Sequence, residues 1–223
     1  MKKTSLTLMA GLALGLFAAG ANAEPVLLNG SFENPVVSPG SVTPGGGDNW
    51  TPSDSTGVFL ISNGNGIGDT PYGVQFLGLN GESAASMFES DSQTIAGFEA
   101  GVTYVLGVDF ADALGGDDPM LTITLSGAFN GSQLYTAPVG GPYGADQIPF
   151  TSAVFLFTAS ASGSETITLT NSSIDSAIAI DNVSLYGNAP SVPEPTSFAA
   201  LLLGAALLGG VALARRRAGQ AAA

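Results

Sequence analysis

Apolar and polar residues alternate along much of the chain between residues 24 and 188. Every even-numbered position in 102–110 is apolar, and apolar residues alternate with threonines in 121–125. A period of two is typical of half-buried β-strands. Further short apolar runs, separated by clusters of Gly, Asn, Asp, Ser and Pro, predict strands at 58–61, 74–79, 154–157, 167–169 and 178–185.

The same region has no stretch with a convincing helical period. Strands joined by turn-forming residues predict an all-β fold, and we expect an antiparallel, jelly-roll-like (galactose-binding-like) β-sandwich over 24–188. Two long connecting segments, 34–48 and 135–150, are rich in Gly and Pro. Long loops on a rigid sandwich are frequent ligand-binding positions, although many are only flexible decoration.

The N-terminus, residues 1–23, has the pattern of a secretory signal peptide. Lys2 and Lys3 precede the apolar run 6–19, and the small-residue cleavage site Ala21-Asn22-Ala23 follows it. The alternative, a retained membrane anchor, is disfavoured because the apolar run is short. We therefore expect the sandwich to fold outside the cytoplasm.

A second apolar segment lies near the C-terminus. Residues 198–214 carry no charge and are followed by Arg215, Arg216 and Arg217. A helix of that length spans roughly 25 Å, which predicts a short transmembrane helix. The arginines are expected to keep the tail, 215–223, on the cytoplasmic side.

The linker 189–197 presents the tripeptide Pro193-Glu194-Pro195 just before this helix. Two prolines favour an extended backbone that a binding partner can recognise. Together with the helix and the arginine cluster, the motif resembles the PEP-CTERM sorting signal of exopolysaccharide-producing bacteria, over residues 192–217. Some family descriptions also label this anchor as an ice-binding protein C-terminal domain.

The resemblance implies that secretion machinery exports the protein and that a membrane exosortase recognises and cleaves at Pro193-Glu194-Pro195. The protein would then be anchored transiently in the inner membrane and released to the cell surface or the extracellular polysaccharide matrix. The alternative is a permanent single-pass anchor preceded by an incidental proline-rich spacer.

Charged residues are distributed very unevenly. The chain has 18 Asp and Glu, 5 Lys and Arg, and neither His nor Cys. All basic residues lie at 2–3 and 215–217, so 24–188 contains no basic residue and every acid except Glu194. Nucleic-acid binding is excluded because phosphate neutralisation needs basic side chains. The missing His and Cys exclude Ser-His-Asp and Cys-His catalysis, the usual zinc sites and disulfides.

The order of short landmarks in 24–188 carries a second resemblance. The opening segment 27–35, the segment 71–77 and the closing strand 177–185 resemble galactose-binding-like β-sandwiches. Such domains occur in many PEP-CTERM ectodomains and in related carbohydrate-binding modules and plant-type cell-wall domains. The resemblance implies a structural Ca²⁺ held by Glu33 of the opening segment and Asp181 of the last strand.

Strand parity gives an independent reason to expect a cation at Asp181. Asp181 has the same parity as Val183 and Leu185, so a core position for those residues predicts a buried carboxylate. A buried carboxylate needs a counter-charge, hydrogen bonds or a proton, and without basic residues a hard cation such as Ca²⁺ fits. The alternative is that Asp181 caps a turn or accepts backbone N–H bonds. For the acidic group Asp112, Asp117 and Asp118, a solvated turn is favoured over a second cation site.

Aromatic residues near the two long loops are candidate sugar platforms. Trp50 and Tyr143 are the predicted ligand-binding residues, with Tyr72 and Tyr135 as further platforms, because amphipathic rings match the apolar faces of sugars. Core packing is the favoured alternative for Trp50. The domain has no Arg or His to bind sugar hydroxyls, so any affinity is expected to be weak or Ca²⁺-dependent.

These patterns predict a non-enzymatic exported protein of the cell surface or biofilm matrix, in which a Ca²⁺-stabilised β-sandwich binds or organises polysaccharide. The main alternative is a purely structural acidic matrix protein crosslinked by divalent cations. Ice binding is disfavoured because the threonine-rich strands have no repeat, and a glycosidase is disfavoured because no carboxylate pair stands out.

Overall fold

The computed structural model describes residues 24–54, 56–81, 88–115, 118–174 and 176–188. The signal peptide, the linker with its Pro193-Glu194-Pro195 motif, the apolar C-terminal segment and the arginines lie outside these ranges, as does Asp117. Within the described ranges, no helix is long and apolar enough to cross a bilayer. These predictions therefore stay predictions.

Strands are the regular structure of the described residues, which confirms the all-β prediction. The strands are β1 (Val42–Pro44), β2 (Thr51–Pro52), β3 (Val58–Ser62), β4 (Gln75–Leu79), β5 (Ser90–Phe98), β6 (Thr103–Asp112), β7 (Met120–Gly127), β8 (Asn130–Thr136), β9 (Thr151–Thr158), β10 (Gly163–Asn171) and β11 (Ile178–Asn188). Every strand predicted from alternation is present. The pattern missed β1, β2, β5 and β8.

The strands form two antiparallel sheets that share one core. The front sheet has the order β1-β3-β4-β11-β6-β9, and the back sheet has the order β2-β5-β10-β7-β8. Alternate residues of both sheets, such as Leu106 and Phe110 in front and Leu121 and Ile123 behind, are buried in one hydrophobic cluster. The two sheets therefore pack face to face as the predicted sandwich, since each buries one apolar face.

A second, smaller cluster covers part of the opposite face of the front sheet. Phe76 alternates with the core residue Leu77, so it lies on that outer face, where it packs with Ile61 and Ala179. Ile148, from the long loop after β8, packs onto this cluster, and the half-buried Tyr143 lies against it. The loop is therefore a packed cover over one end of the front sheet.

Candidate functional site

The part of the outer front-sheet face beside this cover is an open groove of about 270 Å³. We call it the front groove, and it is formed by β6, β9 and β11. It is lined by Val105, Gly107, Val108, Asp109, Ser152, Ala153, Val154, Asn182, Ser184 and Tyr186. Antiparallel pairing places Asp109 opposite Ser152 and Gly107 opposite Val154, so neighbouring strands contribute matched positions.

One end of the front groove offers an apolar platform. The Tyr186 side chain is 66% exposed and that of Val154 is 54% exposed. Gly107 lines the groove between Val154, with which it is paired, and Ser184, whose Oγ would lie 2.8 Å from a Cβ atom at position 107. An exposed tyrosine on a flat strand surface can stack on the apolar face of a ligand and also offers a hydroxyl group.

The other end is polar and is centred on Asp109. Ser152 Oγ donates a hydrogen bond of 2.5 Å to Asp109 Oδ1, and Asn182 Nδ2 donates one of 2.8 Å to Asp109 Oδ2. Burial, followed by the interaction of its hydroxyl with Asp109 and by the charge of Asp181, raises the pKa of Tyr72 to about 12. Tyr72 therefore stays protonated and serves as a neutral donor beside the groove.

Behind this polar end lies the predicted pair Glu33 and Asp181. Asp181 is fully buried, and its carboxylate accepts hydrogen bonds from Thr70 Oγ1 at 2.5 Å and from its neighbour's backbone N–H at 2.7 Å. Burial, helped by the charges of Glu33 and Asp109 and opposed by those two hydrogen bonds, raises the pKa of Asp181 to about 7. The fold thus brings Glu33 and Asp109 each into electrostatic range of Asp181.

Asp181 is buried, but not for the reason predicted from strand parity, which placed it on the same face as Val183. Ile180 and Val183 both belong to the main core, so two residues separate them where strict alternation allows one. Asn182, with φ of 50°, interrupts the alternation. Asp181 consequently contacts Thr70 on the side of the sheet that the loop covers. The prediction that it shares the core face of Val183 was wrong.

Glu33 reaches this region from the opening segment. Its Oε1 accepts backbone hydrogen bonds from Val74 at 2.9 Å and from Gln75 at 3.3 Å. A Cβ atom at Gly73 would lie 1.8 Å from the same oxygen, so this approach requires glycine at position 73. Glu33 thereby ties the start of the chain to the strand beside β11.

The donor set is suited to a hard cation only in part. No group of three or more His, Cys, Asp or Glu that could hold a metal occurs among the residues the structure describes. Glu33 and Asp181 would provide two carboxylates, while Ca²⁺ takes about six to eight oxygens. Backbone carbonyls and water would have to supply the rest. The feature that does fit is charge, because buried Asp181 has acidic neighbours and the sandwich contains no basic side chain.

The two aromatic platforms predicted from the sequence lie elsewhere. Trp50 is 6% exposed, packs on Phe32 at a ring distance of 5.2 Å and donates its Nε1–H to Asn29 O at 3.2 Å. Its ring face is covered, so Trp50 is a core residue, which agrees with the alternative of core packing given from the sequence. Tyr143 is half-buried and packs against the smaller hydrophobic cluster as part of the covering loop, whereas the sequence predicted an exposed loop position.

The remaining tyrosines divide in the same way. The hydroxyl of Tyr135 donates to Val154 O at 2.6 Å and thereby links the edges of the two sheets. Tyr72, 42% exposed, is the one sequence-predicted platform that lies beside the front groove. Tyr186 was missed, although it lies one residue beyond the predicted strand 178–185 and has the same parity as Ser184, which predicts the same face.

The acidic turn after β6 is also different from the expected solvated loop. Asp112 is fully buried and accepts backbone hydrogen bonds from Gly115 at 3.0 Å and Gly140 at 2.9 Å. It therefore holds two loops together. Asp118 has φ of 34° and lies in the same turn.

Comparison with known proteins gives the fold. No protein-family profile and no curated protein sequence matches the chain. Among solved structures, a family 61 carbohydrate-binding module in complex with β-1,4-galactotriose is similar, with a TM-score of 0.51, 17% identity, and coverage of 74% of this chain and 99% of the module. An arabinose-bound family 51 α-L-arabinofuranosidase has a TM-score of 0.50 and 14% identity; the match covers 76% of this chain but only 27% of that enzyme. The described residues therefore share the β-sandwich fold of this carbohydrate-binding module.

Proposed function

We propose that this protein is a non-enzymatic, exported polysaccharide-binding protein and that the front groove is its binding site. The observation that carries the proposal is the juxtaposition in one open groove of an exposed tyrosine with a cluster of neutral donors around a carboxylate. The carbohydrate-binding-module fold supports this choice of ligand class by analogy.

Sugars present the two kinds of surface that the groove matches. The C–H face of a pyranose ring packs on an aromatic ring such as that of Tyr186, while the ring hydroxyls need hydrogen-bond partners. Asp109 accepts from hydroxyls, and Asn182 and Ser152 provide an amide and a hydroxyl alongside it. These partners are already held in place by their mutual bonds, so little side-chain entropy is lost on binding.

The same groove is a poor glycosidase site. Glycoside hydrolysis generally uses two carboxyl groups that flank the scissile bond. Asp109 is the only acid among the described residues that line the groove. Its neighbour Asp181 is fully buried and cannot contact a sugar there. We therefore propose binding without catalysis.

A Ca²⁺ ion held by Glu33 and Asp181 is the second part of the proposal. A cation there would compensate the carboxylate that burial otherwise keeps from ionising, and it would join the opening segment to the last strand. Its role would be structural, because Asp181 has no exposed surface.

Export and sorting form the third part, and it rests on the sequence alone. The N-terminal pattern and the Pro193-Glu194-Pro195 motif with its apolar segment and Arg215–Arg217 cluster motivate secretion, exosortase processing and a final location at the cell surface or in the extracellular matrix. Mass spectrometry of the protein from its producing cells tests this part. An intact C-terminus on the mature protein would contradict it.

A glycan-array screen of the full-length protein, in Ca²⁺ and in chelator, tests binding. We expect binding to a polysaccharide class, and we expect Tyr186→Ala to weaken it about tenfold, or roughly 1.4 kcal/mol. Leu134→Ala is the matched control, because Leu134 is 54% exposed on β8 of the back sheet. The absence of binding in both conditions would favour the purely structural acidic matrix protein.

A further inference from the structure

We propose that the front groove selects neutral polysaccharides and excludes those that carry carboxylate, sulfate or phosphate groups. This inference rests on the proposed function and adds the chemical class of the ligand. It follows from three features of the molecule: the distribution of charge along the chain, the acids around the groove and the hydrogen-bonding capacity of Asp109.

The first feature is the lack of any group that could neutralise an anionic sugar. Between residues 4 and 214 the chain contains no Lys, Arg or His. Proteins recognise carboxylate and phosphate mainly through Arg and Lys, or through the N-termini of helices. The regular structure of the described residues is all strand, so none of these residues offers a helix N-terminus to the groove.

The second feature is the negative charge at the polar end of the groove. Asp109 is only 7% exposed, and it lies within electrostatic range of Asp181, which in turn interacts with Glu33. Charges that are partly buried are screened by salt much less than exposed ones. A uronate or sulfate placed against Asp109 would therefore meet a like charge in a site where water and ions shield it poorly.

The third feature is what Asp109 can accept. An ionised carboxylate accepts hydrogen bonds at about four lone-pair positions and donates none. Ser152 and Asn182 use part of this capacity. The remaining capacity suits a donor that brings no charge, which is a sugar hydroxyl. Loss of that hydroxyl, or its conversion to an anionic group, removes the donor and adds repulsion.

Matched pairs of polymers separate this inference from the proposed function. The probes are mannan with polymannuronate, and cellulose oligosaccharides with their oxidised glucuronate counterparts, measured by calorimetry on the full-length protein in chelator and in Ca²⁺. We expect the neutral member of a bound pair to bind more than about tenfold more tightly than its anionic counterpart. Neutral binding should be insensitive to salt, while residual binding of the anionic member should improve as salt screens the repulsion.

The variant Asp109→Asn should reduce the difference in affinity between the neutral and the anionic member of a pair. It removes the repelling charge and keeps the shape of the side chain. The control is Asp146→Asn, which removes an equal charge from an exposed loop position outside the groove lining. This variant should leave the difference in affinity unchanged. The salt titration of the wild-type protein gives the same answer if Asp109→Asn folds poorly. Equal or tighter binding of the anionic member, with or without Ca²⁺, would overturn the selectivity and leave the binding function standing. The absence of binding to every member of these pairs and to every glycan of the array would overturn both.

Discussion

Buried Asp91 should make the sandwich more stable in acid than at neutral pH. Asp91 lies on the inner face of β5 and is fully buried. Its Oδ1 accepts a hydrogen bond from the Ser92 backbone at 3.0 Å, while Oδ2 has no hydrogen-bond partner among the described residues. Gly46 packs so closely that a Cβ atom there would lie 2.2 Å from Oδ2. Burial raises the pKa of Asp91 from 3.8 to about 7.

The direction and size of the effect follow from proton linkage. A carboxyl with a raised folded-state pKa binds its proton more tightly in the folded protein than in the unfolded chain. The corresponding stability is fully present below the unfolded value and is lost as pH rises towards and through about 7. A rise from 3.8 to about 7 corresponds to roughly 4 kcal/mol at most. Asp91→Asn removes the ionisable group and should be more stable than wild type near pH 8 by a few kcal/mol.

Urea unfolding at about pH 4, 6 and 8 measures this difference, with the fluorescence of Trp50, the only tryptophan, as the probe. Asp146→Asn controls for the change in net charge, because Asp146 is exposed. Asp181 also has a pKa raised to about 7, so part of the pH dependence should persist in Asp91→Asn. A variant that keeps the full wild-type pH dependence, or gains nothing near pH 8, would refute the reasoning.

Three further predictions concern the cation, the core and the groove. Ca²⁺ should raise the melting temperature of the wild-type protein relative to chelator, and Glu33→Gln or Asp181→Asn should abolish the difference; an unchanged shift in both variants would exclude this site. Trp50→Ala should lower the free energy of unfolding by about 3–5 kcal/mol, because it leaves a cavity in the core. Urea titrations followed by circular dichroism measure this loss, and a much smaller loss would mean that the ring is not packed. Tyr72→Phe removes the hydroxyl that interacts with buried Asp109 and should cost about 1 kcal/mol of stability and weaken sugar binding several-fold; an unchanged urea midpoint would contradict this interaction.

The sequence predicted the strands whose inner positions are apolar. It missed β5, where some inner positions are polar, and it missed β1, β2 and β8, in which no residue is fully buried. In β6, Leu106, Val108 and Phe110 are all buried, and the alternation was clear. In β5, by contrast, Asp91 and Gln93 are buried, which hides the period. Gln93 is accommodated because its side chain bonds both the N–H and the C=O of Leu28. Such long-range partners have no signature in the local pattern.

For the candidate site, the residues of the acidic pair were foreseeable and the groove was not. Glu33 and Asp181 were expected together, and they do interact. The interruption of alternation at Asn182 reverses the face of Asp181. Asp and Asn are turn-forming residues, but this pair lies inside an apolar run that otherwise indicates one continuous strand. Trp50 attracted attention because of its rarity, but rarity carries no information about exposure. Tyr186 is placed by the pairing of β11 within the front sheet, which only the folded chain shows.

The most direct test of the account is to locate a bound sugar by nuclear magnetic resonance. Soluble neutral oligosaccharides from the screen would be titrated into the isotope-labelled full-length protein while amide chemical shifts are followed. The account predicts that the largest changes map to Asp109, Ser152, Ser184 and Tyr186 on the outer face of the front sheet. Changes confined to the back sheet or to the loops around Trp50, with those four residues unaffected, would contradict it.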